Sequence, residues 1–271
     1  MLHLLVEGNS LRAVSRITGA SINTVTKLLV DAGLACAWYQ DKHMRNLPCK
    51  RVQVDEIWSF VYSKQKNVPE GMEGEAGDVW TWTAIDAETK LVPSWWVGSR
   101  DAEVASAFCA DLASRMANRI QLTSDGHGAY LKAVDDAFGV DVDFSQLVKI
   151  YGNPGGDTPE KRYSPGECCG TKKKSVVGRP DEKHISTSFV ERQNLTMRMC
   201  MRRFTRLTNA FSKKVENHCH AIALHFMNYN FCRIHKTLRV SPAMAAGVTD
   251  KLWSLEDVVN MMDVYFSEQS N

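Results

Sequence analysis

The 271-residue sequence lacks the features that mark membrane and secreted proteins. No stretch approaches the roughly 18 to 20 uninterrupted apolar residues that a membrane-spanning helix needs. The N-terminus has no basic flank, apolar run and small-residue cleavage site of the kind found in secretory signals. These absences predict a soluble protein of the cytoplasm that does not associate with a membrane.

The cysteines lack the spacing of a metal site. None of the eight form a CxxC pair, and the adjacent Cys168 and Cys169 cannot both ligate one ion with relaxed geometry. A zinc site is therefore not expected. Because no export signal is present, five cysteines are predicted to be reduced and mostly buried thiols: Cys36, Cys109, Cys200, Cys219 and Cys232.

An excess of charge of one sign is also missing, because 33 Lys and Arg residues balance 31 Asp and Glu residues. The distribution is nevertheless uneven, with seven basic residues and no acid between positions 192 and 214. They are Arg192, Arg198, Arg202, Arg203, Arg206, Lys213 and Lys214. A run of this kind is usually a solvated helix face. Here Glu191 directly precedes it, which favours a functional surface.

Residues 1–33 have the pattern of short helices separated by turns. Ser10 and Ser21 are predicted helix N-caps, while Gly19 and Gly33 stand where helices are expected to stop. Apolar residues at helical spacing are expected to pack the helices together: Leu11, Val14, Ile17, Ile22, Val25, Leu28 and Leu29. The pattern predicts a helix-turn-helix DNA-binding module, with a plain three-helix packing unit as the alternative.

In a helix-turn-helix module, the first side chains of the second helix meet DNA phosphates or base edges. The residues at these positions are Ser21, Asn23, Thr24 and Lys27. We therefore predict that they bind DNA.

The stretch QDKHMRNLPCK is polar and contains Pro48, and residues 34–50 are predicted to form a linker. A second domain is predicted over 51–240, with an irregular insertion at 152–185, followed by a C-terminal helical tail at 241–271. Its predicted strands are 51–62, 79–87, 91–98, 119–124 and 144–151, and its first predicted helices are 101–117 and 129–138. Three antiparallel strands, helix, strand, helix, strand is the order of an α/β, RNase-H-like fold with a mixed five-stranded sheet.

Three carboxylates stand where this fold could bring them together. Asp55 lies in the middle of an apolar strand, where an unpaired buried carboxylate costs several kcal/mol unless a metal, a basic partner or exposure at a bend offsets it. Asp125 ends the fourth strand, which is a neighbour of the first in this order. Glu191 lies on a helix that can pack across the sheet. Taken singly, Asp125 is also typical of a turn, and Glu191 of an acid at a helix N-terminus.

Three converging oxygen donors are what two Mg²⁺ or Mn²⁺ ions require for phosphoryl transfer. We therefore predict that Asp55, Asp125 and Glu191 are catalytic and bind metal. Glu56 is expected to face the opposite side of its strand from Asp55, and Asp86, at the end of a neighbouring strand, is an alternative ligand.

The basic run after Glu191 is predicted to track DNA phosphates. Its members in this prediction are Arg192, Arg198, Arg202, Arg203 and Arg206. Arg198 follows Glu191 by seven residues and therefore projects from nearly the same helix face, two turns on.

Four blocks of the sequence carry a family resemblance: VQVDEIWSFV, LTSDGHGAY, HISTSFVERQNLTMRM and NYNFCRIHKTLRVSPAMAAG. They resemble the bacterial insertion-sequence transposases of the insertion-sequence-one type, a branch of the DDE transposase and retroviral integrase superfamily. The blocks occur in the family's order, and the resemblance covers nearly the whole chain.

The resemblance implies an RNase-H-like catalytic domain with Asp55, Asp125 and Glu191 as the triad, Mg²⁺ as cofactor, and the terminal inverted repeats of a mobile element as substrate. Arg198 matches a basic residue of the family. A nucleoid-associated homodimer or higher oligomer is expected, because joining two element ends to target DNA needs two active sites. His235 lies in a shared block, and we interpret it as a structural histidine.

Two other functions remain open at this point. One is a nuclease of the same fold that hydrolyses DNA without joining strands. The other is a DNA-binding regulator derived from a transposase and lacking catalysis. The intact triad favours an enzyme over the regulator.

Overall fold

The computed structural model describes residues 1–152, 168–205 and 209–270. An α/β fold surrounds a six-stranded mixed sheet with the strand order β3-β2-β1-β4-β5-β6. The strands are β1 (Arg51–Val61), β2 (Gly77–Asp86), β3 (Trp95–Gly98), β4 (Ile120–Ser124), β5 (Val142–Tyr151) and β6 (Cys168–Val177). The β1–β4 and β4–β5 pairs are parallel, and the other three pairs are antiparallel.

Five of these strands overlap the predicted segments. Strands β2 and β5 each begin two residues earlier than expected, and β3 begins four residues later. The backbone of Val92 pairs with a side chain instead of with β2. Asn230 Oδ1 accepts a hydrogen bond from Val92 N, and Asn230 Nδ2 donates to Val92 O, both at 3.0 Å. Pairing with this buried amide therefore replaces strand pairing at that point.

The sixth strand corrects the prediction of five strands and of a wholly irregular insertion at 152–185. Residues 168–177 pair antiparallel with β5, and residues 153–167 of the insertion lie outside the described part of the chain. The strand was missed because its sequence, CCGTKKKSVV, does not alternate apolar and polar residues. An exposed edge strand is held by backbone hydrogen bonds and needs no apolar face, and its lysines protect the edge from pairing with other chains.

The N-terminal helices are α1 (Leu2–Val6), α2 (Leu11–Thr18) and α3 (Ile22–His43). Both predicted N-caps are confirmed, because Ser10 Oγ accepts a hydrogen bond from Ala13 N and Ser21 Oγ accepts one from Thr24 N. Gly19 ends α2 in the left-handed conformation, with φ of 72°. The predicted turn between α2 and α3 is therefore present.

Gly33 does not end a helix, which corrects that expectation. Helix α3 continues to His43 and so occupies the first ten residues of the predicted linker. Gly33 is instead the point where α3 approaches α7 (Val215–Met227): a Cβ at this position would lie 2.3 Å from His220 Cβ. The glycine permits close packing of two helices, which a single sequence does not distinguish from a helix stop.

Packing between α2 and α3 uses fewer apolar residues than predicted. Val14, Val25 and Leu29 are buried, whereas Ile17 is 62% exposed and Ile22 is 42% exposed. Since α3 directs part of its apolar surface towards α7 and the C-terminal helix, the α2–α3 contact is narrow.

The remaining helices are α4 (Ala102–Arg115), α5 (Ala129–Phe138), α6 (Ser188–Cys200), α8 (Pro242–Ala245) and α9 (Leu255–Gln269). Within the predicted helical tail at 241–271, α8 and α9 are helical and residues 246–254 between them are not. Helix α9 packs against α3. Trp38 and Tyr265 join the two helices through rings with centroids 5.5 Å apart. Within the described residues, no helix is both long and apolar enough to cross a membrane.

Helix α6 packs across β1 and β2 on one face of the sheet. Gln53 of β1 fixes it there, because its Oε1 accepts hydrogen bonds from Phe189 N at 2.8 Å and Val190 N at 3.2 Å. These are donors of the first helical turn, which have no partner within the helix. The register of α6 against β1 is therefore set by one buried amide.

We expect Gly33→Ala to destabilise the protein by about 1 to 3 kcal/mol, because the added methyl group overpacks the α3–α7 contact. This is the net loss that remains after the gain in helix propensity of about 1 kcal/mol that the same substitution brings at an unconstrained site. Urea unfolding followed by circular dichroism measures the difference. The neighbouring exposed Leu34→Ala serves as control, and an increase in stability for Gly33→Ala would contradict the close packing.

Candidate active site

Asp55 and Asp125 come together through strand pairing. The parallel register of β1 and β4 ends at Val54 and Ser124, which are direct partners. Asp55 is the next residue of β1, and Asp125 is the first residue after β4. The two carboxylates therefore lie at the point where β4 stops and β1 continues.

Glu56 completes a compact group of three acids with Asp55 and Asp125. One ligand atom from each lies within 4.8 Å of the other two. Alternation along β1 led us to expect Glu56 on the opposite side of the strand. Glu56 nevertheless lies close to Asp125, because β4 ends at Ser124. Asp125 lies beyond the end of that strand and can approach side chains from both faces of β1.

Arg100 balances part of this negative charge. Its Nε donates to Glu56 Oε2 at 3.1 Å, and its Nη2 lies 3.8 Å from Asp125 Oδ2. The Glu56 side chain is 1% exposed, whereas those of Arg100 and Asp125 are each 37% exposed. Arg100 therefore links the buried acid to the solvent-facing one.

Glu191 lies near this group on α6 but is held by another cation. Its Oε2 is 2.5 Å from Lys149 Nζ of β5, and its Oε1 accepts a hydrogen bond from Thr187 Oγ1. Its negative charge contributes to the raised pKa of Asp55. The predicted third carboxylate is thus within electrostatic range of Asp55, although it is not one of the three acids in closest contact.

Asn194, one turn after Glu191, also contacts the site and was missed from the sequence. Its Nδ2 donates to Asp55 Oδ2 at 2.8 Å. Its Oδ1 is buried and has no hydrogen-bond partner. The i, i+3 spacing from Glu191 was the available signal, because it places both side chains on one helix face.

Asp55 and Glu56 resist ionisation, because the pKa of each carboxyl is raised. Burial, with added repulsion from Glu56 and Asp125, raises the pKa of Asp55 to about 7. Burial and the charge of Asp125 also raise the pKa of Glu56, while Tyr130 and Arg100 act in the opposite direction. Neither Glu56 Oε1 nor the Tyr130 hydroxyl has a hydrogen bond of normal geometry, although the hydroxyl is close enough to affect the acid. A cation bound among these groups would relieve the repulsion.

These donors fit a hard divalent cation. Carboxylate and amide oxygens are the ligands that Mg²⁺ and Mn²⁺ prefer, and the described group contains no thiol or imidazole. Glu56 Oε1 and Asn194 Oδ1 are buried oxygens with unused acceptor capacity. The donor chemistry therefore agrees with the cofactor expected from the sequence.

Asp86 does not join the group. Its register partner is Val52, three residues before Asp55. Its Oδ2 accepts hydrogen bonds from Thr89 N at 2.8 Å and Thr89 Oγ1 at 2.6 Å. The side chain stabilises the turn after β2, so the alternative of Asp86 as a ligand receives no support from its position.

The predicted DNA contacts of the N-terminal module are exposed at the start of α3. Ser21 also serves as the N-cap, and Lys27 forms an i, i+4 ion pair with Asp31 at 2.5 Å. Asn23 and Thr24 point outwards together with these two residues. An exposed helix N-terminus with polar side chains is compatible with the DNA-binding prediction.

The basic residues after Glu191 divide into different environments. Arg192 and Arg202 are exposed, and Arg198 is half-buried. Arg203 turns inward, where its Nε donates to Ser212 Oγ at 2.8 Å and burial lowers its pKa to about 10. The prediction for Arg206 falls outside the described residues. Arg192 and Arg202 are therefore the most accessible of the predicted phosphate contacts within the described residues.

Two further histidines, His218 and His235, have structural partners. Ser212 and Ser59 contact the two ring nitrogens of buried His218, at 3.2 Å and 3.1 Å. His235 Nδ1 lies 3.0 Å from Thr237 Oγ1, and its backbone N donates to Val240 O. His235 thus stabilises a turn, in agreement with our structural interpretation.

A comparison of the chain with protein-family models and with curated proteins returns no match.

The raised pKa of Asp55 predicts a pH-dependent stability. Its ordinary pKa is 3.8 and its folded pKa about 7. The free energy of unfolding therefore decreases as pH rises from 4 to 7, because the folded state binds the Asp55 proton more tightly than the unfolded state does. Above pH 7 the full destabilisation by the ionised carboxylate is present. Without divalent ions, Asp55→Asn should raise the free energy of unfolding at pH 8 by on the order of 2 kcal/mol, allowing for partial solvent screening. The gain should become small near pH 4.

Urea unfolding in EDTA at pH 4.5 and pH 8 tests this expectation. Asp263→Asn, at an exposed position of α9, is the matched control and should show no comparable pH-dependent gain. An Asp55→Asn effect that is equal at both pH values would show that desolvation of this carboxylate does not limit stability.

Proposed function

We propose that this protein is a metal-dependent DNA transposase that cuts and joins strands at the ends of a mobile element. The observation that carries the proposal is the convergence of Asp55 and Asp125 from the neighbouring parallel strands β1 and β4, with Glu191 on the helix that packs across β1 and β2. The strand order β3-β2-β1-β4-β5 within the sheet is compatible with an RNase-H-like catalytic domain. The resemblance of the four sequence blocks supports the same reading.

Asp55, Asp125 and Glu191 would hold Mg²⁺ or Mn²⁺ in this enzyme, with Glu56 adjacent. When bound, two such ions would activate water or a 3′ hydroxyl for attack and would stabilise the leaving oxygen of a phosphodiester. Asn194 orients the Asp55 carboxylate through its hydrogen bond. Arg100 pairs with both Glu56 and Asp125 and places a positive charge beside these acids, where a substrate phosphate would meet it.

The DNA substrate is expected to lie along the positive surface that continues from α6. Arg192 and Arg202 are exposed for phosphate contacts, and Arg198 lies two turns beyond Glu191 on the same helix. Ser21, Asn23, Thr24 and Lys27 of the N-terminal module would bind the terminal inverted repeat. In this proposal the double-stranded element ends and the target DNA are the partners, and two copies of the protein act together.

One observation favours the regulator as a second candidate. Arg100 already pairs with Glu56 and Asp125, and Lys149 pairs with Glu191. A protein that only binds DNA could retain the acids in such ion pairs for stability. The Glu191–Lys149 pair is partly exposed, with side chains 39% and 31% accessible, so water and ions can compete for it.

Strand cleavage and joining test the function directly. The substrate is a labelled duplex carrying the terminal sequence that flanks the protein's own coding region, assayed with Mg²⁺. We expect the intact protein to cut and join it, and Asp55→Asn, Asp125→Asn and Glu191→Gln each to reduce both reactions by on the order of a thousandfold or more, without loss of DNA binding. Asp86→Asn is the matched control and should retain activity.

Each other outcome has a distinct meaning. Binding without cutting would replace the enzyme with the regulator, and cutting without joining would indicate a nuclease. Loss of activity in Glu56→Gln but not in Glu191→Gln would assign the third ligand to Glu56.

Asn194 is expected to act as a positioning residue. Removing its hydrogen bond in Asn194→Ala takes a donor from the ionised form of Asp55 and so raises the pKa of that carboxyl. The acidic limb of the pH–activity profile should therefore move to higher pH. Leu195→Ala, at a 40% exposed site on the same helix, should leave the profile in place. Reduced activity with an unmoved profile would indicate a purely structural role for Asn194.

A further inference from the structure

A cavity of about 490 Å³ separates the N-terminal helices from the segment that follows α6. Leu11 and Leu29 line it from α2 and α3, and Ala221 and Leu224 line it from α7. Its size is within the range of sites for small organic ligands, and its walls are largely apolar as in such sites. Because the acids of the candidate active site do not line this cavity, it is a separate feature.

The polar part of the lining is positive. Five cationic side chains contribute to it, and the described lining includes no acidic residue. They come from both sides of the cavity: Arg12, Arg202, Arg203, Lys213 and Lys214. In a chain with nearly equal numbers of acids and bases, such a one-sided lining indicates an anionic ligand.

A buried imidazole adds a specific polar group. His225 is 7% exposed, lines the cavity, and has an Nε2 with no hydrogen-bond partner. Burial and the charge of Arg233 lower its pKa to about 4, so the ring is neutral at pH 7. A neutral ring nitrogen can pair with a polar edge of an otherwise apolar ligand.

We propose that this cavity binds a nucleoside phosphate, with the base against the apolar wall near His225 and the phosphate on the lysines at 213 and 214. Inorganic phosphate alone would leave the apolar wall uncovered. An uncharged apolar molecule would leave the cations without a counter-charge. A flat heterocycle with polar edges that carries an anionic group satisfies both parts of the lining.

The nucleotide has two possible sources with the same chemistry. It is either free in solution or an unpaired nucleotide of bound DNA. The N-terminal module and the basic segment, both of which we propose as DNA contacts, form opposite sides of the cavity. The binding site itself does not depend on the proposed transposase chemistry, because it uses none of the three catalytic carboxylates.

Two probes distinguish these sources. Isothermal titration calorimetry measures binding of dAMP, with deoxyadenosine and inorganic phosphate for comparison. Fluorescence measures binding of a duplex that carries one unpaired 2-aminopurine nucleotide, and a fully paired duplex is the reference. The variants are Lys213→Ala/Lys214→Ala, which removes two exposed charges, and Ala221→Leu, which fills the cavity. Lys66→Ala, an exposed lysine outside the cavity, is the control.

We expect dAMP or the unpaired nucleotide to bind, and each cavity variant to weaken that binding about tenfold. Deoxyadenosine and phosphate should each bind less tightly than dAMP. Lys66→Ala and Asp55→Asn should bind as the intact protein does, so loss of the proposed catalysis and loss of this site are separable. Binding of dAMP alone would assign a free nucleotide, and binding of the unpaired base alone would assign DNA.

The proposal is overturned if neither probe binds, or if binding is the same in the cavity variants as in the intact protein. Thermal unfolding shows whether Ala221→Leu is folded. Should that variant unfold, the double lysine variant decides the question, because its two side chains are exposed and their removal leaves the core intact.

Discussion

The parallel pairing of β1 with β4 is the constraint on which the candidate active site depends. It places two aspartates side by side at the point where one strand ends and the other continues. Carboxylates brought together in a partly buried position repel each other and lose hydration, and the raised pKa of Asp55 records this cost. A stable fold that contains such a cluster of carboxylates needs nearby groups that reduce this unfavourable free energy, and the surrounding residues provide them.

The compensating groups come from elements that are distant in sequence. Arg100 precedes α4 and contacts Glu56 and Asp125, while Lys149 of β5 neutralises Glu191. Asn194 of α6 donates to Asp55. The repulsion is thus reduced but not removed. Sites that give up stability in this way are typical of binding and catalysis, because a ligand supplies the missing counter-charge.

Helix α6 links the acids to the basic surface. Gln53 fixes the start of the helix on β1. Glu191 and Asn194 reach the site from its first two turns, and basic residues follow towards and beyond its end. A single rigid element therefore spans both the proposed chemistry and the proposed DNA track. Displacement of this helix would change both together.

The sequence by itself determined the elements that local chemistry specifies. The serine caps of α2 and α3, the strand segments with β-branched and aromatic residues, and the positions of Asp55 and Asp125 at neighbouring strands all follow from short-range patterns. The tertiary structure alone decided the role of Gly33, the pairing of the lysine-rich strand β6, and the entry of Glu56 into the acidic group. In each case the reason is a long-range contact, with His220, with β5 or with Asp125, and such contacts leave no periodic signal in one sequence.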